Sequence, residues 1–265
     1  MRHIRIRKYI QENDLDKYVN ALVEFWSERP PEVSHGLTHC LDVVQNCKTY
    51  GELNEYEDIR SLVIYGIFHD IVRPVLGEGG NEDQSESPVV TKEILSKLDT
   101  PKESINKIIN VMAAHDDWQD DKDVDIFTLI SSFADKASLN IFQSYSYAWA
   151  ANRYFESAGK PPVYSTHQNL VSDFAKYQTR AWKIFKNFHQ DLQGSEIAIR
   201  NYAEAFNGFT STLLTDPENL TFNETLEQMA TLYARYEYQA YKTFNIDEEL
   251  IEKCMVKFEG LDYKG

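Results

Sequence analysis

The chain has 265 residues, 42% hydrophobic, 13% aromatic and 26% charged. It is long enough to bury a large core without disulfide staples, as one large domain or as one domain with a C-terminal extension, and too apolar to be disordered. Its formal net charge of −15 repels phosphate backbones and disfavours DNA or RNA as a partner, while a small anionic substrate stays open where a metal and local cations invert the field.

The basic start, Met1 to Lys8, runs into polar Gln11-Glu12-Asn13-Asp14 and lacks the apolar centre of a signal peptide. No stretch reaches the roughly 18 apolar residues a membrane span needs. Three cysteines, Cys40, Cys47 and Cys254, have no CxxC spacing and fit a reducing compartment, so the expectation is a cytoplasmic protein with no membrane partner. Arg73, Lys92, Lys136 and Arg153 are the cations considered for countering substrate charge, against the plainer reading of each as a solvated surface residue.

Tyr18 to Trp26 spaces its apolar residues at three and four, the helical period, and Pro30-Pro31 stops that helix. Leu37, Cys40, Leu41, Val44 and Cys47 repeat the period and predict a helix carrying His39 and ending near Gly51. His35 precedes His39 by one turn and is expected on the same face. Ile59 to Val72 is almost continuously apolar and delivers the doublet His69-Asp70. Such a segment is buried on most sides, and an ionised Asp at its end is costly to desolvate unless it meets a cation.

Pro74 to Pro88, with Gly77, Gly79 and Gly80, reads as a loop beside that doublet, and loops in such places carry function. Helical spacing resumes over Val89, Val90, Ile94, Leu95 and Leu98. It restarts after Pro101 through Ile105, Ile108 and Met112 to His115. The acidic run Asp116 to Asp121 reads as a solvated turn. Ile126, Phe127, Leu129, Ile130 and Phe133 predict a further buried helix that delivers Asp135. No period-two strand and no internal repeat is found, so the fold class is all-α. His39, the doublet His69-Asp70, His115 and Asp135 mix imidazole nitrogen with carboxylate oxygen, the donor type of a catalytic divalent metal that keeps positions open for water and substrate.

In their order, Ser34-His35-Gly36-Leu37-Thr38-His39, Ile67-Phe68-His69-Asp70, Asn81-Glu82, Ala114-His115 and Ala134-Asp135-Lys136 resemble the HD superfamily of metal-dependent phosphohydrolases. The likeness is to the small predicted HD hydrolases with a His-x-x-x-His first motif, and it covers roughly residues 24 to 155. It implies a helical HD core over residues 1–155 with a C-terminal helical extension over 156–265, packed as one unit. His39, His69, Asp70 and Asp135 match the family's metal ligands, for a divalent ion whose identity (Mn, Mg, Fe, Co, Ni or Zn) stays open.

The resemblance also suggests roles around the metal. Glu82 would act as general acid or base or hold the attacking water, His115 would be a donor to phosphate or an extra ligand, and Lys136 would neutralise phosphate charge or pair with a neighbouring acid. His35 would contact the substrate or orient His39, and Arg73 would contact the substrate. The implied function is hydrolysis of a small phosphate ester or anhydride, a nucleotide among the candidates.

Two other readings accompany it. A diiron HD-type oxygenase needs additional histidines, but residues 71 to 134 contain only His115. A non-catalytic nucleotide-binding sensor is the other, although every ligand position is occupied by a competent residue. The aromatic C-terminal region, including Tyr145, Tyr147, Trp149, Tyr154, Phe155, Tyr233, Tyr236, Tyr238 and Tyr241, reads mainly as helix packing, with base stacking as the alternative. His167 and His189 read as structural. The extension is expected to close over the pocket, to form a homodimer surface, or both.

Overall fold

A computed structural model describes residues 3–73, 86–114, 124–138, 141–173, 192–196, 199–200 and 221–264. The described residues contain helices and no strand, as the absence of period-two patterning predicts. The helices are α1 (Ile4–Glu12), α2 (Asp16–Glu28), α3 (Leu37–Leu53), α4 (Ile59–Phe68), α5 (Glu86–Lys97), α6 (Lys102–Ala114), α7 (Ile126–Lys136), α8 (Ile141–Ser157), α9 (Phe222–Thr243) and α10 (Glu248–Cys254). A single 3₁₀ turn, Val256–Phe258, follows.

The most buried element is α4, in which every residue from Ser61 to Phe68 is inside. It lies against α3, and the two backbones come close at Gly66, where a Cβ would sit 3.0 Å from both the Cα and the N of Val44. Glycine is required there by the approach of another main chain. α7 packs on both α3 and α4, and Asn46 on α3 donates to the Ala134 carbonyl at 3.0 Å, one residue before Asp135. These three helices therefore meet where the sequence places His39, His69-Asp70 and Asp135.

Around this centre, α2 packs on α4 and α10, α5 pairs with α6, and α9 lies along α8 and reaches α3. Trp26 of α2 donates its indole N–H to the Ile71 carbonyl at 2.9 Å, and the Ser87 hydroxyl at the start of α5 donates to the Val72 carbonyl at 2.9 Å. Both fix the turn after the doublet from which Arg73 projects. A continuous apolar core includes residues from Ile6 to Leu261. α9 begins with a capping box in which Thr221 and Glu224 satisfy each other's backbone N–H groups.

Several expectations change in detail. α4 ends at Phe68, so the doublet sits in the turn beyond it and not within a helix running to Val72. His35 lies before the first turn of α3, outside the helix, yet its ring stands T-shaped against that of His39 with centroids 5.2 Å apart. In α5 the apolar letters misplace the inner face: Val89 is 59% exposed, whereas Ser87, Thr91 and Leu95 are buried. The tyrosines of α9 split as helix geometry dictates, with Tyr233 and Tyr241 buried and Tyr236 exposed.

Candidate metal centre

His39 reaches the centre from the first turn of α3, His69 and Asp70 from the end of α4, and Asp135 from the last turn of α7. All four side chains are buried, and one ligand atom of each lies within 4.8 Å of the others. His39 Nε2 is 3.0 Å from His69 Nε2. Asp70 Oδ2 is 3.3 Å from His39 Nε2 and 3.1 Å from His69 Nε2. Asp135 Oδ1 is 3.6 and 3.7 Å from the same two nitrogens.

Proton bookkeeping explains why these atoms face each other. His69 Nδ1 is 3.0 Å from the Gly66 carbonyl, which can only accept, so Nδ1 bears the hydrogen and Nε2 a lone pair. His39 Nδ1 is 3.2 Å from the Ser138 hydroxyl, whose own proton is given to the Asp135 carbonyl at 2.6 Å. That oxygen accepts from His39, leaving the second Nε2 with a lone pair as well. Gln143 Nε2 donates to the Ser34 carbonyl at 2.7 Å and stands 3.3 Å from the same Nδ1, a longer contact than that of the serine.

With both rings neutral in these tautomers, two lone pairs and two carboxylate oxygens converge, and they repel one another unless positive charge, a metal ion or shared protons, lies among them. The spacing matches a metal ion. Ligands about 2.1 Å from one ion stand about 3.0 Å apart at right angles and about 3.4 Å apart at tetrahedral angles, close to the 3.0–3.7 Å between each imidazole Nε2 and the other three donors. The residues fit a divalent metal.

Each carboxylate keeps its second oxygen on a cation. Arg73 holds Asp70 Oδ1 at 2.9 Å and Lys136 holds Asp135 Oδ2 at 2.7 Å. Burial works to raise the Asp70 carboxyl, but the Arg73 charge and the His69 and His39 contacts outweigh it and hold it well below the usual carboxylate range. Burial lowers His39, aided by the neighbouring His69 and His35 and opposed by Asp70. The lone pair on His39 is thus kept available.

The centre opens into a pocket of about 220 Å³. His39, Asp70 and Asp135 form its floor, with His35, Arg73 and Lys136 beside them, while Tyr147, Tyr164, Leu170 and Asp173 are on its wall. Lys92 and Arg153 are not among the pocket's lining residues. Lys92 is exposed; Arg153 lies over the Trp149 ring and donates to the Glu259 carbonyl at 2.7 Å. The plainer surface reading holds for these two cations. Glu82, His115 and His189 lie outside the described residues. His167 is packed edge-on against Phe222, with centroids 4.8 Å apart.

Sequence reasoning missed the groups that orient this set. Glu32, buried, accepts from His35 Nδ1 at 2.6 Å and from both the backbone N–H and the hydroxyl of Ser34. Its burial raises the carboxyl, yet the His35 and Ser34 donors prevail and leave it lowered. With Nδ1 tied down, His35 turns Nε2 toward the centre, 3.9 Å from Asp70 Oδ2. Ser138, Gln143 and Glu237 were also missed. None carries a motif at ligand spacing, and only proximity in three dimensions marks them.

Residues 36–140 match the HD domain family model. The likeness to an HD domain is confined to that segment. Proteins of this family are generally hydrolytic and bind divalent metals, and the matched segment contains all four clustered residues. Neither the curated proteins nor the solved structures gave a match. Part of the pocket wall, Gln143 to Asp173, lies beyond the matched HD domain. Among the described residues no helix is long and apolar enough to cross a membrane.

Proposed function

We propose that this protein is a metal-dependent phosphohydrolase that cleaves a small phosphate ester or anhydride, with a nucleotide or another small phosphorylated metabolite as substrate, in the cytoplasm. The observation that carries this reading is the convergence of His39, His69, Asp70 and Asp135, all buried, beneath a pocket flanked by Arg73 and Lys136. A divalent ion held there supplies a water of lowered pKa and polarisation of a phosphoryl oxygen.

The chain's own groups do the rest. Arg73 and Lys136 each spend one contact on a ligand carboxylate and add positive charge where a phosphate would enter, which counters the acidity of the chain locally. His35, anchored through Nδ1 to Glu32, presents Nε2 to the pocket as the proton donor to the leaving oxygen. Glu82 as acid or base and His115 as a phosphate donor complete the proposal. Tyr147, Tyr164 and Leu170 keep water from the non-reacting part of the substrate.

The test is a screen of purified protein against nucleotides and phosphomonoesters with Mn²⁺, Co²⁺, Mg²⁺ or Ni²⁺. Turnover that disappears on chelation and in Asp70→Ala supports the proposal. No turnover with any pairing rejects it in favour of a non-catalytic sensor.

A further inference from the structure

The segment that presents His35 and His39 is held by a helix far outside the HD match. α3 begins at Gly36, which has no side chain with which to cap the helix. Its two leading N–H groups, those of Leu37 and Thr38, are taken instead by the two oxygens of Glu237 on α9, the Thr38 contact being 2.8 Å. Glu237 is 1% exposed. A carboxylate at a helix start is electrostatically favoured, but one buried this deeply is costly and is kept only where its acceptors are all in use.

Glycine is needed at position 36 for the same reason, because a Cβ there would collide with the Glu237 carboxylate. One turn earlier on α9, Tyr233 donates its hydroxyl to the Ser34 carbonyl at 3.3 Å. Residues 233 and 237 thus grip the chain on both sides of His35 and end one residue before His39.

We infer that Glu237 is a positioning residue for the metal centre: by fixing the start of α3 it sets where His39 Nε2 stands relative to His69 and Asp70. The inference rests on the metal-site reading above. It also makes α9 part of the working unit, although that helix lies outside the matched HD domain.

Titration of the full chain with Co²⁺, followed by visible absorption, tests it. Glu237→Gln keeps the size of the side chain but turns an amide NH₂ toward one of the two backbone N–H groups. The variant is expected to fold cooperatively, to bind Co²⁺ about tenfold more weakly, as loss of a supporting partner does at other metal sites, and to shift the absorption bands. Gly36→Ala displaces the same carboxylate and is expected to weaken Co²⁺ binding likewise, with little further loss when added to Glu237→Ala. If Glu237→Gln fails to fold, the Gly36→Ala titration decides by the same criterion. Wild-type Co²⁺ binding with unchanged affinity and bands in a folded Glu237→Gln overturns this inference alone. A wild-type chain that binds no Co²⁺ removes the metal-site reading and this inference with it.

Discussion

The floor and the wall of the pocket are built on different terms. On the floor and just beneath it, four ligand atoms come from α3, the end of α4 and α7, each side chain buried and each carboxylate held by its own cation. On the wall, Tyr164 is placed by Asn152 of α8, which accepts its backbone N–H at 2.9 Å and donates to its carbonyl at 2.6 Å, while its hydroxyl donates to Asp173 at 2.8 Å. Burial pushes the Tyr147 phenol beside it up to about 12, so the wall stays neutral at these tyrosines. The floor concentrates charge and the wall is largely aromatic. In the proposed reaction the first determines whether chemistry occurs and the second which molecule undergoes it.

Breaking the floor should have the largest effect. Asp70→Ala or Asp135→Ala removes a ligand and leaves Arg73 or Lys136 without its carboxylate, and the several kcal/mol that metal catalysis supplies translate into a loss of kcat/KM on the order of a thousandfold. Steady-state kinetics with parallel metal analysis checks this, and full activity in both variants would end the comparison. His35→Ala is expected to lower kcat about a hundredfold while metal content stays at the wild-type level, the size of a lost proton donor. Glu32→Gln should fall between that variant and wild type, near tenfold, because the ring survives without its anchor.

Metal removal tests the floor through stability. A divalent ion at a hundred times its dissociation constant adds about 2.7 kcal/mol, which for a chain of this size raises Tm by about 5–10 °C. Chelation should reverse the shift, and Asp135→Ala should not show it in differential scanning calorimetry. The wall should respond most weakly. Tyr164→Phe deletes one hydroxyl and its bond to Asp173, about 1 kcal/mol, so KM should rise about fivefold with kcat and metal content steady. A fall in kcat with KM unchanged would place Tyr164 on the chemical side of the pocket instead.

Much of the floor was legible in the letters because buried charge is conspicuous. A carboxylate ending a run as apolar as Leu62 to Phe68, or following Phe133-Ala134, demands a partner, and the demand can be read without coordinates. The same logic failed on amphipathic α5, where Val89 faces solvent and Thr91 faces the core, because periodicity shows that a helix has an inner face without fixing its rotation when few apolar residues mark it. Charge alone gave equal standing to Arg73, Lys92, Lys136 and Arg153, and only their places beside the motifs singled out Arg73 and Lys136. Packing then placed these two beside the centre and left Lys92 and Arg153 away from it.

The sequence by itself determined that the chain is helical and that the Asp at the end of a buried apolar segment needs a partner, since local period and buried charge are properties of short segments; the grouping of His39, His69, Asp70 and Asp135 came from the order of its motifs and their likeness to a family. The tertiary structure decided the tautomers of His39 and His69, the Glu32 anchor of His35, the wall from α8 onward and the hold of Glu237 on α3. Leu37 and Glu237 are 200 positions apart in the chain. No local propensity encodes such a pair, because a hydrogen bond depends on a few ångströms of distance that only the packed helices supply.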